Sequence, residues 1–246
     1  METTPLSTWA NPSLRWEHQK AFQNARDQHR LTERWVQALA EDERLSDYRL
    51  RRVEVSGLKE HEEVLEILKT VTRPEDADAE TPMERVEQTV WVSQAWALRR
   101  IFEKTPKTEW PALRNLLEHV SWNHGRELAG ERWGETKKAR FSDISGVWAA
   151  LLDSPFVRND RHRSFLALRR SPTSIEFEQL TCPHHVDHIE TLPIADELCD
   201  LQNECLRGFV YRLNPRVTIE TMRQTRALPT GDSQVRCLQT WRWNTG

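Results

Sequence analysis

The 246-residue chain has no run approaching the roughly 18 to 20 apolar residues that a membrane-spanning helix needs. It has no basic excess: 35 Lys and Arg stand against 38 Asp and Glu, a formal charge of −3. A protein held to nucleic acid mainly through phosphates carries more positive charge, so neither nucleic acid nor membrane is an expected partner. The opening Met1-Glu2-Thr3-Thr4-Pro5 has neither the basic start nor the apolar block of a secretory signal. Cysteine is sparse. Cys182, Cys199, Cys205 and Cys237 all lie in the last third, and no Cys-x-x-Cys pair occurs. A cytoplasmic, reducing setting is expected, with thiols or metal ligands favoured over structural disulfides. Internal repeats and long low-complexity tracts are also missing.

Tyrosine is nearly absent, at two residues, while tryptophan reaches eleven. Each indole has a large area to bury and one N–H that wants a partner. A helical core filled by indoles is the plain reading; an aromatic-lined pocket is the sharper one. Residues 13 to 40 read as helix, with Leu31, Trp35 and Leu39 four apart and Phe22 and Ala25 before them. Tyr48 to Val55 fits a bulged edge strand or a helix-to-loop transition. Val64, Ile67, Leu68 and Val71 make another helical stripe beside a solvated acidic face. Residues 73 to 82 carry two prolines and no large apolar residue, which marks a linker. The expected division is a helical N-terminal extension over residues 1–80 and an α+β domain over 81–246.

That second part opens on a helix start signal. Thr81 can cap, Pro82 suits the first helical position and Glu84 completes a capping box. Val86, Val90, Ala97 and Ile101 follow one face. A further helix from about Thr108 buries Leu113, Leu116, Leu117 and Val120, and His124 and Leu128 continue the stripe. The next runs from Ser142 to Leu152, with Ile144, Val147, Trp148 and Leu151 inward and Pro155 ending it. The character then changes. Residues 165–168 and 175–180 read as short strands, and residues 194–206 as a helix burying Leu198, Leu201 and Cys205. Two period-two segments, one with Val217, Ile219 and Thr221 on a face, the other with Val235, Cys237, Trp241 and Trp243, flank turn residues 229–233. They predict an antiparallel hairpin. A helical N-terminal half followed by a helix-plus-antiparallel-sheet C-terminal domain is an α+β pattern.

The densest reactive cluster is Thr181-Cys182-Pro183-His184-His185-Val186-Asp187-His188. It follows the strand expected at 175–180. Pro183 can open a helical turn, and His184 and His188 would then share a face, as two ligands of one ion must. Cys182 can be a nucleophile with His184, His185 or His188 moving the proton. Its thiol would need a neighbouring cation or a helix N-terminus to ionise at neutral pH. Alternatively Cys182, His184 and His188 bind a divalent transition metal. On the plain alternative the histidines are solvated and the thiol is a small core group. Cys205 lies on its helix's apolar stripe, whereas Cys199 is one position off it. His124-Gly125 reads as a core histidine near a helix end or as a site residue, and Gly130 and Gly134 after it allow close backbone approach. Arg223 and Arg226 are the anion binders near the hairpin. An odd separation puts them on opposite strand faces unless a bulge intervenes.

The order of elements from about residue 110 to 243 resembles the L-2-amino-thiazoline-4-carboxylic acid hydrolase family, itself distantly similar at its end to small-ligand domains of the vinyl-reductase type. The matching elements are a helix with His124-Gly125, a strand Ile175-Glu176-Phe177-Glu178 leading to Cys182, and a helix with a second cysteine, Cys199 or Cys205. Asn214-Pro215-Arg216-Val217, a strand with Arg223 and Thr225, Gly231 and Cys237 complete them. Where the family often has an acid three positions after the second cysteine, this chain has Gln202 or Gly208, with Asp200 and Glu204 nearby. The resemblance implies a hydrolase acting on a small amidine- or thiazoline-type heterocycle in specialised metabolism. Cys182 would attack, His184, His185 or His188 would shuttle protons, and Arg223, Arg226, His124 and Cys237 would contact the small-molecule substrate. Two other expectations compete. One is a non-catalytic small-ligand or metal-binding module that assists a partner protein. The other is an interaction protein docking through its Trp-rich N-terminal helices, to itself as a homo-oligomer or to another chain.

Overall fold

The computed structural model describes residues 12–42, 83–134, 141–152, 154, 165–179, 194–227 and 233–244. The segments expected at Tyr48 to Val55, at 64–71 and at 73–82, with the Thr81 and Pro82 start signal, lie outside the described residues, as do Pro155 and the turn at 229–232.

Helix α1 spans Pro12–Glu41, and α2 spans Met83–Lys104. Leu31, Trp35 and Leu39 are buried, as their four-residue spacing requires. On α2 the burial is broader and takes in Val90, Trp91, Gln94, Ala95, Ala97, Leu98, Ile101 and Phe102. A 3-10 turn, Lys107–Glu109, leads into α3, Trp110–Trp133. The corner is fixed by the Trp110 indole, which donates to the Thr105 carbonyl at 3.0 Å and stands edge-on to Phe102 at 5.1 Å. Leu113, Leu117, Ser121, His124, Leu128 and Ala129 form the buried stripe of α3, while Leu116 and Val120 are partly buried. Gly134 ends the helix at φ 58°, an angle costly for any residue with a Cβ.

Helix α4, Ile144–Leu152, is capped by Asp143, whose carboxylate accepts the Gly146 N–H at 2.8 Å. Strands β1, Phe165–Arg170, and β2, Ser174–Gln179, pair antiparallel, with a bulge between Ala167 and Arg169. The Ser171 hydroxyl closes their turn by accepting the Ser174 N–H at 2.9 Å. Helix α5, Ala195–Leu213, runs seven residues beyond the Leu206 end that the sequence suggested. Phe209, Val210 and Leu213 continue its buried surface past Gly208. Strands β3, Val217–Ala227, and β4, Ser233–Trp243, form the expected antiparallel pair. The sheet order is β1-β2-β4-β3. Among the described side chains its buried residues are Ile175, Phe177, Val217, Ile219, Cys237, Gln239 and Trp241, while Thr218, Glu220 and Met222 of β3 are exposed. The architecture is α+β, with helices on the buried face of a four-stranded antiparallel sheet. Among the described residues no helix is long and apolar enough to cross a membrane.

Two apolar cores lie along α5. Leu198, Leu201 and Cys205 join residues of α1, α2 and α3 in a helical core that also holds Trp35 and Trp91. Leu206, Phe209, Val210 and Leu213 join the ends of α3, α4 and the sheet in a second core around Trp241 and Phe177, flanked by the half-buried Trp148. Helices α3 and α5 run parallel, since Arg114 meets Glu197 while Trp122 packs on Tyr211. Their backbones touch. A Cβ at Gly125 would sit 1.9 Å from the Cys205 carbonyl oxygen, and one at Gly208 would sit 2.1 Å from that of Trp122. At Gly130 it would meet only the Arg212 Nε, at 3.8 Å. Gly125→Ala and Gly208→Ala are each expected to cost about 3 kcal/mol or more, the upper range for overpacking an interior. Gly130→Ala should instead stabilise by about 0.5–1 kcal/mol through the helix preference for alanine. Urea unfolding of the three variants measures both signs.

Candidate functional site at the end of the sheet

Of the described candidate residues, Cys199, Cys237 and Arg223 meet where β2 ends and α5 begins, and His124 and Cys205 do not. The register aligns Gln179 of β2, Cys237 of β4 and Arg223 of β3 side by side. Arg223 lies two and four positions beyond Thr221 and Ile219, on the face that α5 covers. Its guanidinium reaches the first two turns of α5. One nitrogen donates to the Asp196 carboxylate at 2.7 Å and to the Asp196 carbonyl at 3.2 Å; the other donates to both Asp200 oxygens, at 2.9 and 3.1 Å. Asp196 and Asp200 are four apart, so they share a helix face and clamp one guanidinium. Burial pushes the Asp200 carboxyl up against the pull of Arg223. Burial alone would lower the Arg223 guanidinium, but Asp200, Cys199 and Asp196 together raise it.

Cys199 sits between these two acids. It packs on Cys237 in a small buried cluster of their own, and the Asn203 amide approaches its sulfur at 3.8 Å. A position one step off the apolar stripe therefore faces the sheet, because α5 is covered on two sides. Cys205 faces the helical core, fully enclosed, and burial pushes its thiol up. Of the two cysteines of α5, Cys199 is the one beside Cys237 and Arg223. Gln202, three positions after Cys199, is buried away from this end. The acid near Arg223 is Asp200 instead.

Cys182, His184, His185 and His188 lie outside the described residues. Both flanks of their segment are described: Gln179 is the last residue of β2, and Ile194 precedes α5. The side chain of Arg226 is also outside. The β3–β4 register runs unbroken from Val217 to Ala227, so no bulge brings position 226 onto the face of 223. Among the described residues no group of three His, Cys, Asp or Glu is arranged to hold a metal ion.

His124 belongs to other surroundings. It is in the body of α3, nine residues before its end, and not near a fraying terminus. Its Nε2–H donates to the Asp27 carbonyl of α1 at 3.0 Å, which leaves Nδ1 unprotonated and without a hydrogen bond. Around it lies a buried polar seam. Asp27 accepts from Arg132 at 2.7 Å, and Trp35 donates to the Ser121 hydroxyl at 3.0 Å. Gln202 donates to Gln28 at 2.9 Å and to Gln94 at 2.8 Å, and Gln94 donates to the Gln28 carbonyl and the Thr32 hydroxyl, both at 3.2 Å. Sequence reasoning missed the seam. Its only signal was polar residues, Asn24, Asp27, Gln28 and Thr32, interleaved with the apolar stripe of α1.

Burial lowers His124 to about 3, helped by Arg34 and Arg30 and opposed by the Asp27 carbonyl and Glu131. Burial alone lowers His29 to about 4. Both start from 6.5 in the unfolded chain. Unfolded histidine therefore takes up a proton that the folded form refuses. Stability is fully present above about pH 6.5 and should fall as pH drops, by about 1.4 kcal/mol per pH unit for each histidine. His124 continues to contribute down to about 3 and His29 to about 4. Denaturant unfolding between pH 6.5 and 5 should show the two-histidine slope, and His124→Gln should halve it. No family model and no curated protein matches the chain.

Proposed function

We propose that the protein is a hydrolase-like enzyme that adds water to a small amidine- or thiazoline-type carbon, with the chemistry at the sheet end where β2 leads toward Cys182. The observation that supports it is the gathering of Cys199, Cys237, Arg223 and Asp200 from α5, β4 and β3 beside the last residue of β2. An amidine carbon becomes electrophilic when its nitrogen is protonated. The Cys182 thiolate attacks that carbon, and His184, His185 or His188 carries the proton to the departing nitrogen. Water then displaces the sulfur and restores the thiol.

The Arg223 clamp refines the substrate reading. A guanidinium already shared between two carboxylates is not a plain carboxylate trap, because the group carries one net negative charge. It suits a zwitterion. An amidinium can pair with Asp200, whose oxygens it approaches as a second planar donor, while the substrate carboxylate takes the Arg223 donors that Asp196 releases. Asp196 is the more exposed of the two acids, so its displacement costs less.

Turnover of 2-amino-thiazoline-4-carboxylic acid by the full chain tests this. Cys182→Ala should abolish it with the melting temperature unchanged. Arg223→Ala should raise KM by about ten- to a hundredfold, the worth of a charge-assisted pair. Full activity of the Cys182 variant overturns the reading. Stoichiometric metal that disappears in His184→Ala and His188→Ala would replace it with the metal-binding module.

A further inference from the structure

We propose that Cys199 and Cys237 are a redox-modification site, where hydrogen peroxide joins the two sulfurs in a disulfide that ties the start of α5 to β4. Both are thiols in this structure, and both are buried, at 4% and 3% exposure. They stand apart from the two large apolar cores and pack on each other. A cysteine side chain has only Cβ and Sγ with which to make a contact. Two that touch across a helix and a strand therefore hold the four atoms of a bridge as neighbours. A disulfide asks for Cβ atoms about 3.5–4.5 Å apart, and rotation about χ1 at each residue is the movement that joins the sulfurs.

The Arg223 clamp fixes this geometry. Arg223 is aligned with Cys237 in the β3–β4 register. Its guanidinium holds Asp196 and Asp200 of α5, at 2.7 and 2.9 Å, and Cys199 lies on the turn between them. The clamp thus pins the turn that carries Cys199 beside the strand pair that carries Cys237. Asp200 and Arg223 each feel the charge of Cys199, which sets its sulfur close beneath them. This polar cover reaches solvent, since the Asp196 and Asp200 side chains are 70% and 53% exposed. Hydrogen peroxide is little larger than water and needs only a small opening of that cover. Cys205 has no such access. It is enclosed in the helical core, where burial pushes its thiol up and disfavours the reactive thiolate.

The reaction balances with peroxide as the oxidant. The Cys199 thiolate attacks one peroxide oxygen, an S–O bond forms, the O–O bond breaks, and the departing hydroxide takes up the proton of the first thiol as water. The Cys237 sulfur then attacks the sulfenic sulfur. The S–S bond forms, the S–O bond breaks, and the second hydroxide leaves with the Cys237 proton as water. Two thiols give up two electrons and two protons, and one peroxide becomes two waters. A dithiol reductant reverses the bridge by exchange. The bridge uses neither Cys182 nor the turnover of any substrate, so a failure of one proposal leaves the other standing.

The test is oxidation of the full chain with hydrogen peroxide, followed by tryptic peptide mapping without reduction. The peptide that begins at Cys237 is expected joined to the one that carries Cys199, with the intact mass lower by about 2 Da, and dithiothreitol should undo both changes. Cys182 and Cys205 share a tryptic peptide with Cys199, so variants identify the partner. The link should persist in Cys182→Ser and Cys205→Ala and vanish in Cys199→Ala. The two cysteines are thirty-eight positions apart, and closing that loop should raise the melting temperature of the oxidised chain by about 5–15 °C. Oxidation that leaves positions 199 and 237 unlinked overturns the proposal. So does a link to Cys237 that survives in Cys199→Ala, or a linked chain that melts below the reduced one, which would place the bridge in an unfolded form.

Discussion

The contact of α3 with α5 at Gly125 and Gly208 sets the spacing of everything around it. Two helices packed through side chains lie about 8–10 Å apart. Here the carbonyl of Cys205 occupies the space of a Cβ at 125, and the carbonyl of Trp122 that of a Cβ at 208. Neither position tolerates any other residue without parting the helices. With no side-chain layer between them, α3 and α5 act as one ribbon. The α1 and α2 helices pack on its start and α4 and the sheet on its end, which is why the apolar interior divides into two cores along α5.

The polar seam between α1 and its neighbours addresses a weakness of such a helical core. Leu31, Trp35 and Leu39 recur at one helical turn, so a slip of α1 by four residues would nearly superpose its apolar stripe. Its polar contacts admit no such slip. Asp27 is 1% exposed and meets Arg132 in one axial setting, where Gln28 also meets Gln202 and Thr32 meets Gln94. Breaking a buried pair by removing one partner costs about 3–5 kcal/mol, although the intact pair adds little net stability. The seam therefore selects a register more than it strengthens the fold. It also holds strain, because the His124 Nδ1, Gln202 Oε1 and Asn24 Nδ2 are buried with no hydrogen-bond partner. Each such group carries a desolvation cost of about 1–3 kcal/mol.

Where a single apolar period governs an element, the sequence was a good guide. The long α1, the stripe of α3 and the β3–β4 pair follow their spacing closely. Reading fails where an element has two buried sides. Helix α5 lies between a helical layer and a sheet, so Cys199 is buried although it departs from the stripe of Leu198, Leu201 and Cys205. Its length was underestimated for a related reason. Gly208 normally weakens a helix, and only the partner backbone at Trp122 explains its presence. Asp200 was legible as an acid near the second cysteine, but its pairing with Arg223 was not, because the two stand on a helix and a strand more than twenty residues apart in the chain. His124 was legible as a core residue but not as a member of a network, since its partner is a backbone carbonyl 97 residues away.

Charge is unevenly placed along α5, and helix electrostatics explain only part of it. The macrodipole favours acids in the first turn and bases in the last, and its influence fades beyond those turns. Asp196 and Glu197 at the start, and Arg212 at the end, satisfy it. Asp200 stands a full turn further in and is half-buried, where ionisation is disfavoured, yet it is bonded twice to Arg223. Asp200 is therefore a charge that the dipole of α5 does not call for; its partner stands on the neighbouring strand β3, so it is the sheet and not the helix that accounts for it.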